Sequence, residues 1–239
     1  MRLAKVPFDQ TGSFSGFFLD YISQKPALSP FYNRFPSLSN FRDQIKEKQA
    51  AFPASHRKTL VSTLRRQYGD LRQSEMLGRN LSCLANDNTF TVTTGHQLNI
   101  FTGPLYFVYK IVTVINACKQ LKATYPEYDF VPVYWMASED HDYDEIKSIR
   151  LYGTKYTWHT GQTGAVGRFA IDGLDQLCNE LPGDPSPFKK AYKKGNTLSS
   201  AVRQYVNTLF GDQGLVVIDG DDTELKREFV SAITADIFD

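Results

Sequence analysis

Cysteine is scarce and badly spaced for cross-linking: Cys83, Cys118 and Cys178 are odd in number and form no C-x-x-C pair. That excludes a disulfide framework and a zinc knuckle, and predicts reduced thiols in a cytoplasmic protein. Long apolar runs are lacking as well. No stretch approaches the roughly 18 residues that would cross a bilayer. The N-terminal run from Phe14 to Ile22 is broken by Ser15-Gly16 and carries Asp20, which excludes a signal peptide. Nor is there an excess of charge of one sign, since 27 Lys and Arg against 26 Asp and Glu leave a formal +1. With charge balanced, and with aromatics at core spacing rather than among the basic residues, neither nucleic acid nor a membrane is an expected partner.

What is present is a core. With 41% hydrophobic and 13% aromatic residues, 239 residues suffice for one large α/β domain or two small ones. The chain is organised around Thr89 to Pro104. This stretch begins β-branched and aromatic, turns polar at Thr94-Gly95-His96-Gln97, and ends in Thr102-Gly103-Pro104 ahead of a long apolar helical pattern. It reads as strand, glycine-containing loop and helix start. A parallel strand whose loop feeds a helix aims backbone N–H groups and the positive end of the helix dipole at one spot, which suits phosphate or carboxylate. Pro104 fits the first helical position, with Thr102 or Gly103 as the cap.

Residues 1–88 read as a helical, strandless segment that packs on the core. Thr11 or Ser13 is placed to cap a helix carrying Phe14, Phe17, Phe18, Tyr21 and Ile22, and further helices are expected at 38–52, 55–68 and 74–84. Arg57, Lys58, Arg65 and Arg66 read as a solvated helix face. Residues 89–239 read as a Rossmann-like, mostly parallel α/β core. After the helix from Leu105 to Tyr125, the apolar run Asp129 to Ala137 has the length and composition of a buried parallel strand, with Pro132 marking where it starts in earnest. Short strands at 149–152, 155–159 and 166–171 suggest a small antiparallel insertion. A helix at 172–181, another from Thr197 to Phe210, and a third parallel strand from Leu215 to Asp219 follow. Asp221 or Asp222 is placed to cap a last helix that is still in phase at Ile237, so the sequence is expected to be part of a longer protein.

The second chemical feature is Ser138-Glu139-Asp140-His141-Asp142-Tyr143-Asp144-Glu145. Five carboxylates and a histidine repel or compete unless a cation, a substrate amine or basic side chains compensate. A solvated acidic turn that caps a helix is the competing reading. If the first two strands are parallel neighbours, Gly95-His96-Gln97 and Glu139-Asp140-His141-Asp142 emerge on one sheet edge, where a topological switch crevice would lie. Asp219 would stand at the tip of the third strand.

Several blocks occur in a characteristic order: Thr94-Gly95-His96-Gln97, Phe101-Thr102-Gly103-Pro104-Leu105-Tyr106, Ala137-Ser138-Glu139-Asp140-His141-Asp142, Gly214-Leu215-Val216-Val217-Ile218, and Asp221-Asp222. Together they resemble the BshC family, the cysteine-adding enzymes of bacillithiol biosynthesis. The resemblance implies a Rossmann-like core related to nucleotidyltransferases and a ligase that joins the carboxyl group of cysteine to the amine of glucosaminyl-malate, yielding a low-molecular-weight thiol. It also implies a longer chain with a C-terminal coiled coil through which a homodimer would form. Thr93-Thr94-Gly95-His96 is similar to the T-x-G-H loop of nucleotidyltransferases, in which a histidine stabilises charge on phosphate.

On this basis His141, Asp140, Glu139 and His96 are the expected catalytic residues. Asp142, Gln97, Asn99 and Asp219 are expected to bind substrate, and Thr93, Thr94, Gly95, Thr102 and Gly103 to bind ATP with its Mg²⁺. No residue is assigned as a dedicated metal ligand. The acidic cluster suits an amino group, Mg²⁺, or pairing with His141 as a general base. Two other readings stay open. One is a metal-dependent hydrolase with His96, His141, Asp140 and Asp142 as ligands; the other is a domain that binds nucleotide or substrate without turnover.

Overall fold

The computed structural model describes residues 4–238. The chain divides into two compact units, Met1–Ala50 and Ala51–Asp239. The first carries helix α1 (Gly16–Ile22) and most of α2 (Phe41–Ala51). Ser15 caps α1, accepting from the Phe18 amide at 3.2 Å, in place of Thr11 or Ser13. The Thr11 hydroxyl is instead used inside the preceding turn, donating to the Phe8 carbonyl. The aromatic face of α1 finds partners in its own unit. Phe8, Phe14 and Phe18 cluster with centroids 4.7–5.5 Å apart, and Tyr21 meets Tyr32 and Phe35 at 5.4 Å.

The second unit runs α3 (Ala54–Tyr68), α4 (Glu75–Cys83), β1 (Thr89–Gln97), α5 (Leu105–Thr124), β2 (Asp129–Ala137), α6 (Tyr143–Ile146), β3 (Ser148–Leu151), β4 (Thr154–Thr157), α7 (Leu174–Leu177), α8 (Ser186–Lys194), α9 (Leu198–Phe210), β5 (Val216–Asp219), α10 (Thr223–Arg227) and α11 (Val230–Phe238). Strands β1, β2 and β5 form a parallel sheet in that order, and β3 with β4 a small antiparallel hairpin. The fold is Rossmann-like α/β.

Two crossovers that step the same way along a parallel sheet, both right-handed, leave their helices on one face. Accordingly Tyr134, Met136 and Val217 pack with Ile111 and Ile115 of α5 and with Val202, Tyr205 and Val206 of α9. The alternate residues Val131, Val133, Val216 and Ile218 then need cover from elsewhere in the chain. They receive it from Val61, Leu64 and Tyr68 of α3, Leu77 and Leu81 of α4, and Leu225 of α10. Helices α3 and α4, with α10, therefore complete a three-layer sandwich within the second unit, and the Tyr68 hydroxyl accepts from the Val217 amide at 2.8 Å on β5. No helix among the described residues is long and apolar enough to cross a membrane.

Several expectations need correction. Thr94-Gly95-His96-Gln97 is not a loop: it continues β1, paired residue for residue with Tyr134 to Ala137. Pro132 does not delay β2, because pairing with β5 begins only at Val133 and the proline sits where β2 still has a free edge. The 166–171 stretch is no strand. Val166–Arg168 forms a 3₁₀ turn, and the Val166 and Gly167 amides donate to the Asp140 and Ser138 carbonyls at 2.7 and 2.9 Å. Pro104 precedes α5 as its N-cap, and neither Thr102 nor Gly103 caps it. The last helix breaks into α10 and α11, because the Glu228 and Phe229 amides bond three residues back instead of four. The described strands step in one direction, so no reversal of strand order lies between them; what they share is their C-terminal edge.

Candidate functional site

Parallel pairing in register brings the ends of β1, β2 and β5 to one edge. Gln97 stands opposite Ala137, and Met136 opposite Asp219. On the β2–β5 side this edge is a dense polar network. The buried Ser138 hydroxyl donates to the Asp219 carboxylate and accepts from the Asp221 amide at 3.2 Å. The backbone at Gly167 lies so close that a Cβ there would sit 2.5 Å from the Ser138 Cβ, so this contact admits only glycine.

Arg203 reaches the same place from α9. Its Nη1 and Nη2 donate to the Gln67 carbonyl and Oε1 at 2.8 and 2.9 Å, and Nη2 lies 3.8 Å from Asp219 Oδ2. Burial pushes its pKa down, opposed by Asp219, yet a guanidinium titrates so high that it stays charged. Gln67 Oε1 also accepts from the Asp219 amide at 2.9 Å. Arg168 clamps Asp221 through two bonds of 2.6 and 3.0 Å, and Lys226 adds a third contact. The Arg168 hydrogen bonds hold the Asp221 carboxyl below the usual carboxylate range. Asp222 is the cap of α10, accepting from the Glu224 amide at 2.9 Å, and is held by Arg66 at 2.7 and 2.8 Å. Asp219, expected to bind substrate, thus has its carboxylate engaged by Ser138, Arg203 and the Asp221 amide at 3.1 Å.

On the β1–β2 side the arrangement is more open. The Gln97 amide nitrogen donates to Asp140 Oδ2 at 2.9 Å and to Glu145 Oε2 at 2.8 Å, bridging two carboxylates. Asp140 Oδ1 accepts from the Asp142 amide at 2.9 Å, and that bond, followed by the one from Gln97, lowers the Asp140 pKa. Asp142 Oδ1 accepts from the Glu145 amide at 3.3 Å and caps α6, so part of the acidic run serves as a helix cap. Glu139, His141 and Asp142 are exposed. Among the described residues no three His, Cys, Asp or Glu side chains gather as metal ligands, so His96, His141, Asp140 and Asp142 do not form the set the hydrolase reading requires.

The N-terminus of α5 opens beside β1. No side chain caps it; the Phe107 amide bonds the Pro104 carbonyl at 2.9 Å, which leaves the Leu105 and Tyr106 amides to a ligand or water. Lys110, one turn and a half along, donates to the Gly95 carbonyl and stands 5.0 Å from the centre of the Tyr106 ring. His96 is half-buried against Tyr106 and Phe107, with centroids at 5.8 and 5.6 Å. Burial first, and the Lys110 ammonium second, push its pKa down, and its buried Nε2 has no hydrogen-bond partner. Strand alternation puts Thr94 on the same face as His96. Thr93 is on the opposite face, where with Thr91, Leu60 and Trp135 it lines a cavity of about 160 Å³ under α3. The structure therefore separates Thr93 from Thr94, and Gly95, where a Cβ would face Trp135, lies on the Thr93 side. Asn99 is buried, donates to the Gln97 carbonyl at 3.4 Å, and packs against Gly103. Thr102 and Gly103 both hold positive φ, +68° and +64°.

Four participants carried no sequence signal strong enough to single them out: Gln67, Glu145, Arg168 and Arg203. Glu145 lay within the acidic run 138–145 without being set apart from it, and Arg203 left a trace as a charge inside the largely apolar run Ala201-Val202-Arg203-Gln204-Tyr205-Val206.

The chain matches, over residues 1–239, the family model described as "Bacillithiol biosynthesis BshC, N-terminal Rossmann-like domain". Among curated relatives, proteins named "Putative cysteine ligase BshC" from Flavobacterium psychrophilum and Flavobacterium johnsoniae are 45% and 44% identical over 239 and 235 residues. These alignments cover 95% and 94% of the chain, and 45% and 44% of the relatives. A protein of the same name from Chlorobaculum tepidum is 30% identical over 245 residues, covering 94% of the chain and 44% of the relative. The chain thus spans a little under half the length of these relatives.

Proposed function

The chain belongs to the BshC family, and from that premise we propose that it provides the nucleotide- and substrate-binding edge of a ligase of bacillithiol biosynthesis that joins the carboxyl group of cysteine to the amine of glucosaminyl-malate. The observation that supports this most directly is the Gln97 bridge between Asp140 and Glu145, an anionic, partly open seat next to the uncapped end of α5. A carboxylate does not condense with an amine unaided, and ATP·Mg²⁺ would supply the activation when bound. The residues present fit phosphate: the α5 amides, the Lys110 ammonium and the unpartnered His96 Nε2 are all close to the end of β1. Mg²⁺ in such sites needs only one or two carboxylates besides phosphate oxygens.

In this reading Asp140, kept ionised by its amide and Gln97 bonds, holds the ammonium of an amino substrate and does not act as a proton donor. The exposed His141 next to it takes the proton that the attacking amine nitrogen loses as the new C–N bond forms and the bond to the activating group breaks. His96, held neutral by burial and Lys110, serves as a hydrogen-bonding group and not as a cation.

A second reading is favoured by the share of the relatives that the chain spans: it binds the ligands without turnover. Incubation with cysteine, glucosaminyl-malate and ATP·Mg²⁺, followed by mass spectrometry, separates the two. The ligase reading expects the cysteine-conjugated amide, reduced at least about tenfold by Asp140→Ala. Calorimetric binding of ATP·Mg²⁺ or glucosaminyl-malate without product supports the second reading. Absence of both product and binding overturns both.

A further inference from the structure

The link between β1 and α5 is held in an unusual backbone state. Phe101 (φ +51°, ψ +41°), Thr102 (φ +68°) and Gly103 (φ +64°, ψ −136°) are three consecutive residues with positive φ, and only the last is glycine. Side chains disfavour this region, so a run of this kind persists only where its surroundings over-determine it. Here the surroundings are two buried tyrosines from the helices behind. The Tyr192 hydroxyl on α8 accepts from the Phe101 amide at 3.0 Å. The Tyr205 hydroxyl on α9 donates to the Asn99 carbonyl at 2.7 Å. The Phe101 ring, 5% exposed, is seated edge-on against Phe188 and Tyr192 at 5.5 and 5.3 Å. Both hydroxyls have pKa values raised by burial, so they remain protonated across any working pH.

We propose that Tyr192 and Tyr205 are positioning residues for the ligand-binding end of α5: their hydroxyls, bonded to the Phe101 amide and the Asn99 carbonyl, hold the link so that Phe101, Thr102 and Gly103 keep the positive φ that sets where α5 leaves the sheet edge. This rests on the reading that α5 presents its N-terminus to the nucleotide. A tyrosine whose only role is to fill the core needs its ring and some partner for its hydroxyl. These two instead spend their hydroxyls on the backbone groups of one strained turn, from two different helices. The seat also ties the substrate edge to α8 and α9, because Arg203, two residues before Tyr205, supports Asp219 from the same helix.

The test compares Tyr205→Phe and Tyr192→Phe, which keep the rings and remove one hydroxyl each, with Phe188→Leu, which disturbs the same ring cluster and removes none. Backbone chemical shifts of Phe101 and Thr102 report φ directly. They should leave the left-handed range in the two tyrosine variants, the Phe101 amide should exchange with deuterium at least about tenfold faster in Tyr192→Phe, and the calorimetric Kd for ATP·Mg²⁺ should rise about tenfold. Phe188→Leu should lower the unfolding midpoint while leaving the shifts and the affinity unchanged. If both tyrosine variants keep left-handed shifts, or Phe188→Leu moves them equally, the assignment is overturned. If the unmodified chain binds no ATP·Mg²⁺, the nucleotide reading fails by itself, and the shifts and exchange rates still decide whether the hydroxyls lock the turn.

Discussion

Replacing Gly103 by alanine tests the turn that delivers α5 to the sheet edge. At φ +64° and ψ −136° the residue sits where a side chain is strained, at a cost of about 1–3 kcal/mol. A Cβ there would also lie 2.6 Å from both Cβ and Cγ of Asn99 and 2.8 Å from its Oδ1. Asn99 is 7% exposed and cannot swing clear, so overpacking adds about 1–3 kcal/mol. Alanine returns about 0.4–1 kcal/mol by restricting the unfolded chain. The net expectation for Gly103→Ala is a loss of about 1–6 kcal/mol, read by urea unfolding followed by circular dichroism. With roughly 2–4 °C per kcal/mol for a chain of this size, a loss of about 3 kcal/mol lowers Tm by about 6–12 °C. Gly161→Ala is the control, since nothing lies within 4 Å of a Cβ there and its φ is not positive, and it should stay within about 1 kcal/mol. A Gly103→Ala loss below about 1 kcal/mol would refute the reasoning about the turn.

Three further outcomes are expected. Arg203→Met keeps most of the side-chain volume but strips the donors from Gln67 Oε1 and leaves Asp219 without its cation, so urea unfolding should show a loss of about 3–5 kcal/mol; a loss below about 1 kcal/mol would mean the buried ion is dispensable. The Asp221 carboxyl has a folded pKa depressed by Arg168, so its contribution is complete above the unfolded value of about 3.9 and disappears as pH falls through the lower folded value. The gap in urea midpoint between the protein and Asp221→Asn should therefore be constant from about pH 5 to 7 and close below about pH 4, whereas a gap unchanged down to about pH 2 would contradict the pairing. His96 should titrate below the ordinary histidine value of about 6.5 by NMR, with Lys110→Met moving the midpoint upward; a midpoint at or above about 6.5 in the unmodified chain would refute the burial argument.

Much of this architecture was legible because apolar periodicity reports burial directly. The helix at 54–68, the buried strand at 129–137 and the capped helix ending at Phe210 follow from where Leu60, Leu64, Val131, Val133, Val202 and Val206 fall. Threonines and a glycine misled at the end of β1. Thr94-Gly95-His96-Gln97 is polar because it lies on a sheet edge near solvent, yet its backbone is claimed by β2, and pairing outranks local composition. The 166–171 stretch misled for the opposite reason: Val166, Phe169 and Ile171 are strand formers, but the Val166 and Gly167 amides are taken by Asp140 and Ser138 across the sheet edge. The convergence of the two polar blocks on one edge was readable, since it needed only parallel neighbours. What each side chain does there was not. Asp219 and Asp221 are matched to Arg203 and Arg168, partners 16 and 53 residues away in sequence, and no local pattern reports such distances.

The central claim, that the end of the parallel sheet binds the substrates of a cysteine ligase, is tested most directly by the unfolding midpoint of the protein with cysteine, glucosaminyl-malate and ATP·Mg²⁺, singly and in pairs. A ligand held only by the folded state at 100 times its Kd adds about 2.7 kcal/mol, enough to raise the midpoint by several degrees. The account predicts such a rise with ATP·Mg²⁺ and with at least one amino substrate, and predicts that Asp140→Ala abolishes the second rise while keeping the first. Midpoints that no ligand or pair moves, or an amino-substrate rise that survives Asp140→Ala undiminished, would contradict it.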